Sequence, residues 1–126
     1  VSFLEKKNKA LITEHQKVFR PWGWYEVVDE SQYYKVKKIQ VFPKSRLSYQ
    51  SHEYRNEHWV VVKGKATIIC DAEEKVLDVD ESTYIKKQVK HQLINNEQDI
   101  LEIIEVQTGS KLSEDDIERY DDIYGR

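Results

Sequence analysis

Four side chains in this 126-residue chain combine types and spacing that suit a divalent metal ion. Gln50 and His52 lie two positions apart, so on an extended segment they point the same way. Arg46 and Ser48 share that face, giving a guanidinium, a hydroxyl, an amide and an imidazole in a row, while Leu47, Tyr49 and Ser51 take the other side. Such a face is either solvent or the wall of a wet pocket. Glu57 follows His52 by five residues across a turn expected at Glu53 to Asn56, and a hairpin there would bring the two opposite each other. His91 opens a later short run in which Leu93 and Asn95 share its face. Two imidazole nitrogens, a carboxylate and an amide oxygen form a borderline nitrogen/oxygen donor set that suits zinc, manganese, iron, cobalt or nickel, with positions left for water or substrate. A single strand histidine is more often a polar surface or satisfied core residue, and His15, alone in the first segment, is read that way.

Placing these donors requires a scaffold of short strands. From Trp24 to Thr108 the chain runs through stretches rich in Val, Ile, Tyr and Thr: Trp24 to Val28, Tyr34 to Phe42, Arg46 to His52, His58 to Val62, Ala66 to Cys70, Lys75 to Val79, Ser82 to Ile85, His91 to Ile94 and Ile100 to Gln107. The links between them, such as Asp29-Glu30-Ser31, Lys63-Gly64-Lys65 and Asp71-Ala72-Glu73, are turn compositions too short for crossover helices. An all-β antiparallel sandwich or small barrel is expected. Residues 1–19 carry a weak apolar stripe (Phe3, Leu4, Ala10, Leu11, Ile12) and read as a leading helix or linker. Arg20-Pro21-Trp22-Gly23 punctuates the chain, and the domain proper is expected from residue 20 to 126. Near the end, Ser113 is a plausible N-cap followed by Glu114, Asp115 and Asp116, so a short helix is expected from Glu114 to Tyr120.

Composition narrows the function classes. The length suits one domain. Twenty Lys plus Arg against 23 Asp plus Glu give a net charge of −3, without the basic excess that binding a phosphate backbone requires, so nucleic acid is not an expected partner. No apolar run approaches bilayer length, and Val1 to Ala10 lacks the apolar stretch of a signal peptide. No membrane association and a cytoplasmic location are expected. Cys70 is the sole cysteine and is expected to pack within the run from Ala66. The chain starts at Val1 and contains no Met, as expected if an initiator was removed or if it was cut from something longer.

The donor set also resembles a known family. Lys44, five residues, Gln50-Ser51-His52, four residues, Glu57, six residues and Gly64 reproduce the spacing of the first cupin motif. Lys86-Lys87-Gln88, two residues, His91, three residues and Asn95 reproduce the second. Lys44 and Gln88 stand where Gly is usual and Lys86 where Pro is usual, so these turns must be built by residues that adopt unusual dihedrals at a cost, and Gln50 stands where the first His is usual, which would weaken that ligand. The segments Arg20-Pro21-Trp22-Gly23, Arg55 to Val62, Glu81 to Ile85, Ile104 to Gly109 and Glu114 to Ile117, with the terminal Tyr124-Gly125-Arg126, are similar to type II mannose-6-phosphate isomerases, which also carry Gln at the Gln50 position.

The resemblance implies a cupin, a double-stranded β-helix or jelly-roll barrel, acting as a metal-dependent isomerase of mannose 6-phosphate and fructose 6-phosphate. Gln50, His52, Glu57 and His91 would hold zinc, cobalt or manganese. Glu105, a carboxylate in the otherwise apolar run Leu101 to Val106, is the first candidate for the base, with an ion-pair role beside a buried Arg or Lys equally open. Arg46 is the first choice for the substrate phosphate, and Arg119 and Arg126 follow, with surface ion pairing as their alternative. Trp59 would wall the sugar site or pack in the core. The family commonly forms the C-terminal part of a bifunctional mannose-1-phosphate guanylyltransferase that supplies GDP-mannose for polysaccharide, and Leu4 to Val18 resembles the linker entering it. A homodimer is expected. The competing readings are a non-catalytic cupin module that binds sugar phosphate or assists dimerisation, and a facial-triad oxygenase using His52, Glu57 and His91.

Overall fold

The computed structural model describes residues 16–121. Alternation of apolar and polar residues, interrupted by turns, yields eleven strands among them and no helix, so none is long and apolar enough to cross a membrane. One sheet has the order β1 (Val18–Arg20), β2 (Gly23–Glu30), β3 (Tyr34–Val41), β10 (Leu101–Gly109), β5 (Arg55–Lys63) and β8 (Ser82–Ile85). The other has the order β11 (Glu118–Asp121), β4 (Tyr49–Ser51), β9 (His91–Ile94), β6 (Ala66–Cys70) and β7 (Glu73–Leu77). Every pairing is antiparallel.

One apolar cluster joins the two sheets. Ile39 and Val41 of β3, Trp59 and Val61 of β5, and Leu101 and Ile103 of β10 meet Ile68 of β6, Leu77 of β7 and Leu93 of β9. The inner face of the larger sheet changes character along its strands. In register, Ile103 stands between Ile39 and Val61, whereas two residues on Glu105 stands between Lys37 and Trp59, and Gln107 between Lys35 and Glu57. Lys35, Lys37, Arg55, Glu57, Glu105 and Gln107 are all buried. The same period-two alternation therefore delivers an apolar core at one end and a charged chamber at the other. Gly23 ends the Arg-Pro-Trp-Gly turn where β2 begins, because a Cβ there would collide with the Gln40 carbonyl on β3.

Several expected elements differ. The helix from Glu114 to Tyr120 is absent. Ser113 does cap, accepting from the Asp115 amide at 3.1 Å, but it caps a single turn. Glu118–Asp121 then pairs with β4 as β11, where the Tyr120 hydroxyl meets Ser51 Oγ at 2.8 Å and its ring meets Tyr49. Tertiary pairing thus outweighs a cap signal too short to nucleate a helix. Of the leading segment, residues 1–15 lie outside the described residues, while Val18–Arg20 is a strand paired to β2, so the boundary expected at Arg20 falls inside a sheet. The run Arg46 to His52 contracts to Tyr49–Ser51, with Arg46 making one isolated bridge to Ile94. The predicted hairpin joining His52 to Glu57 does not form either. β4 pairs with β9 and β11, β5 with β10 and β8, and the chain passes from one sheet to the other between them.

Candidate metal centre and substrate cavity

His52 at the end of β4, Glu57 on β5 and His91 at the start of β9 converge from opposite sheets and are all buried. Their donor atoms lie within 4.8 Å of one another. Each imidazole is oriented by a backbone carbonyl. His52 Nδ1 lies 2.6 Å from the Asp116 oxygen and His91 Nδ1 lies 3.0 Å from the Val89 oxygen. A carbonyl can only accept, so the proton belongs on Nδ1 in both rings and the Nε2 lone pair faces the centre. There His52 Nε2 stands 3.2 Å from Glu57 Oε2, and His91 Nε2 stands 3.7 Å from Glu57 Oε1.

Burial, and then the Arg55 charge, push the His52 imidazole down to about 4, and burial pushes His91 down as well. The rings are therefore neutral near pH 7, and their contacts with Glu57 are not ion pairs. Two lone pairs and a carboxylate aimed at one another create a point of negative potential that a cation satisfies. Arg55 supplies part of it, donating Nε–H to Glu57 Oε2 at 2.9 Å and approaching His52 Nε2 at 3.2 Å. Gln50 is paired in register with His91, and its amide nitrogen donates to Ser48, which leaves the carbonyl oxygen as its free donor atom. The His52, Glu57 and His91 donors thus fit a borderline divalent ion and would hold it, and Gln50, lining the adjoining cavity, is the expected fourth.

A cavity of about 130 Å³ adjoins these groups and is lined by Gln50, Glu57, His91 and Glu105, among others. Glu105 is buried, and desolvation first, with the neighbouring Glu57 charge next, pushes its carboxyl up to about 7. Trp59 Nε1 donates to Glu105 Oε1 at 3.0 Å and also to Glu57 Oε1 at 3.1 Å, while Gln107 Nε2 holds Glu105 Oε2 at 2.8 Å. Of the two roles open to Glu105, ion pairing is not realised among the described residues: Lys37, opposite it in register, turns to Glu114 at 2.5 Å. Trp59 is buried and also lines the cavity, so it serves core and site together.

The phosphate candidates separate. Arg119 lines the cavity, Arg46 does not, and Arg126 lies outside the described residues. Arg20, Tyr25, Lys37, Arg55 and Glu114 also line it, and sequence reasoning missed all five as site residues. A signal existed for two of them. Lys37 falls in phase with Ile39 and Val41, and Arg55 in phase with Glu57 and Trp59, so each charge sits on a core-facing position.

Two antiparallel sheets closing over a His/Glu/His cluster define a cupin, a double-stranded β-helix. A protein of Klebsiella pneumoniae with a double-stranded β-helix domain superposes with a TM-score of 0.72 at 14% identity, covering 88% of this chain and 89% of the other. Residues 7–122 match the family described as Mannose-6-phosphate isomerase C-terminal, and the chain belongs to that family. It is 47% identical over all 126 residues to the alginate biosynthesis protein AlgA of Pseudomonas aeruginosa, of which it covers 26%. It is 44% identical, again over its whole length, to a mannose-1-phosphate guanylyltransferase of Salmonella montevideo, of which it covers 27%. The chain thus spans about a quarter of the length of these relatives.

Proposed function

We propose that this domain is a metal-dependent isomerase interconverting mannose 6-phosphate and fructose 6-phosphate. The observation that carries the reading is the placement of a buried, donor-fixed Glu105 on the same cavity as the metal donors Gln50, Glu57 and His91. Zinc, cobalt or manganese held there would act as a Lewis acid on the sugar carbonyl. Glu105 would take the proton from C2 of the open-chain aldose and return it to C1, while a hydroxyl proton moves from O2 to O1, giving the ketose with no net change in atoms or electrons. A carboxyl raised to about 7 is half ionised near neutrality, which suits a group that both accepts and gives a proton. Trp59 and Gln107 hold both oxygens of that carboxylate and limit its reorientation.

The alginate biosynthesis and guanylyltransferase relatives support a place in the supply of GDP-mannose for polysaccharide, with a nucleotidyltransferase attached upstream. The working location would be the cytoplasm, where such activated sugars are made. The working form would be a homodimer covering exposed edge strands.

A coupled assay with mannose 6-phosphate on chelated protein, repeated after adding zinc, cobalt or manganese, tests the reading. Turnover is expected only with metal, is expected to vanish in His52→Ala together with bound metal, and to fall at least a hundredfold in Glu105→Gln with metal retained. Folded, metal-loaded protein that turns over with no metal tried would instead identify a non-catalytic module.

A further inference from the structure

Among the described residues four cationic side chains line the cavity, and two of them are already matched by carboxylates. Lys37 Nζ lies 2.5 Å from Glu114 Oε1, and Arg55 Nε lies 2.9 Å from Glu57 Oε2. Arg20 and Arg119 differ. Among the described residues neither is paired with a carboxylate; the Arg20 guanidinium donates Nη1–H to its neighbour's carbonyl, that of Phe19, and lies 5.7 Å from the centre of the Tyr25 ring. The two reach the cavity from different sheets. Arg20 closes β1, an edge strand of one sheet, and Arg119 lies on β11, an edge strand of the other. The Arg119 backbone is paired with that of Gln50, itself paired with His91, so this guanidinium is tied in register to two of the metal donors.

We propose that Arg20 and Arg119 form a two-arginine clamp for the phosphate dianion of a sugar phosphate held in this cavity. The proposal rests on the reading of the cavity as a sugar-phosphate site and identifies the groups that select its charged end. Two guanidinium groups balance a dianion, and each offers a planar fork that matches two phosphate oxygens, which an ammonium cannot do. The two matched cations are less suited to the task, because Lys37 or Arg55 would have to give up its contact with Glu114 or the buried Glu57 to reach a phosphate, whereas Arg20 and Arg119 have no such contact to give up among the described residues. The clamp takes one jaw from each sheet, so phosphate binding would close the mouth of the barrel across the substrate. It also uses a residue ahead of Pro21, so a domain trimmed to begin at that proline would lose half of it.

The test uses the metal-loaded 126-residue chain and glucitol 6-phosphate, which keeps the phosphate and has no carbonyl to isomerise, with binding read by titration calorimetry. Arg20→Gln and Arg119→Gln are each expected to raise Kd about tenfold, with Arg20→Lys and Arg119→Lys between them and the parent. Lys65→Gln, an exposed cation outside the cavity lining, is expected to match the parent, and metal content is expected to stay constant throughout. A double variant, Arg20→Gln with Arg119→Gln, that binds as tightly as the parent would overturn the clamp, and so would a parent chain that does not bind the probe. Arginine-dependent binding without turnover would keep the clamp and remove the isomerase reading; turnover with an unchanged KM in the double variant would do the reverse.

Discussion

At the scale of single residues, Asn95 shows how a polar side chain matched to a metal motif in the sequence serves the scaffold instead. It is 1% exposed, and its amide nitrogen donates to the carbonyls of Val41, Phe42 and Asp99 at 3.1, 3.2 and 2.8 Å. Its oxygen accepts from the Glu97 amide at 3.0 Å. It therefore locks the end of β3 to the loop between β9 and β10 without touching the metal donors. Asn95→Ala removes these four hydrogen bonds at once from a buried position, so a loss of about 2–4 kcal/mol is expected in urea unfolding. Metal content of the folded variant is expected to match the parent. A variant that loses metal while keeping its stability would move Asn95 into the site.

At the scale of elements, the segment between β10 and β11 behaves as a strap over the chamber. The Lys35 ammonium donates to the Leu112 carbonyl at 2.8 Å, and Lys35 and Lys37 both grip Glu114. The Asp116 carboxylate accepts from the amides of Glu53 and Tyr54 at 2.8 and 2.9 Å, beside the carbonyl that orients His52. Burial opposes the Glu114 charge, but Lys37 and Lys35 outweigh it and hold this carboxyl below its ordinary value of 4.5. The folded chain then binds fewer protons at this group than the unfolded chain does. The stability it contributes is present above pH 4.5 and is lost as the pH falls below it. In melts from pH 6 to 3.5, Glu114→Gln is expected to be less stable than the parent at pH 6, with the gap closing on acidification. A gap constant with pH would show that the strap does not depend on this charge.

At the scale of the whole molecule, the metal donors come from both sheets, so an ion bound there cross-links the halves of the barrel. Binding that is specific to the folded state stabilises it by about 2.7 kcal/mol when free metal stands at a hundred times Kd. For a domain of this size that corresponds to a rise in Tm of roughly 10 °C. Zinc, cobalt or manganese is expected to produce such a rise in the parent and none in His52→Ala, measured by differential scanning calorimetry. An equal rise in both would place the ion elsewhere.

The sequence by itself determined the all-β class and most strand positions, and it singled out His52, Glu57 and His91, which the fold brings together, because period-two alternation, turn composition and motif spacing are local properties. It also determined that Lys44 and Gln88 must accept unusual dihedrals, and both adopt positive φ, 59° and 70°. Only the tertiary structure decided what depends on long-range pairing. The residues from Glu118 became a strand because β4 offered an edge, and His52 met Glu57 across two sheets and not through a hairpin. Arg20 and Arg119 reached the cavity, while Arg46, in an isolated bridge to Ile94, did not. Which of several arginines faces a cavity is settled by the last few residues of pairing at a sheet edge, where local sequence carries the least information.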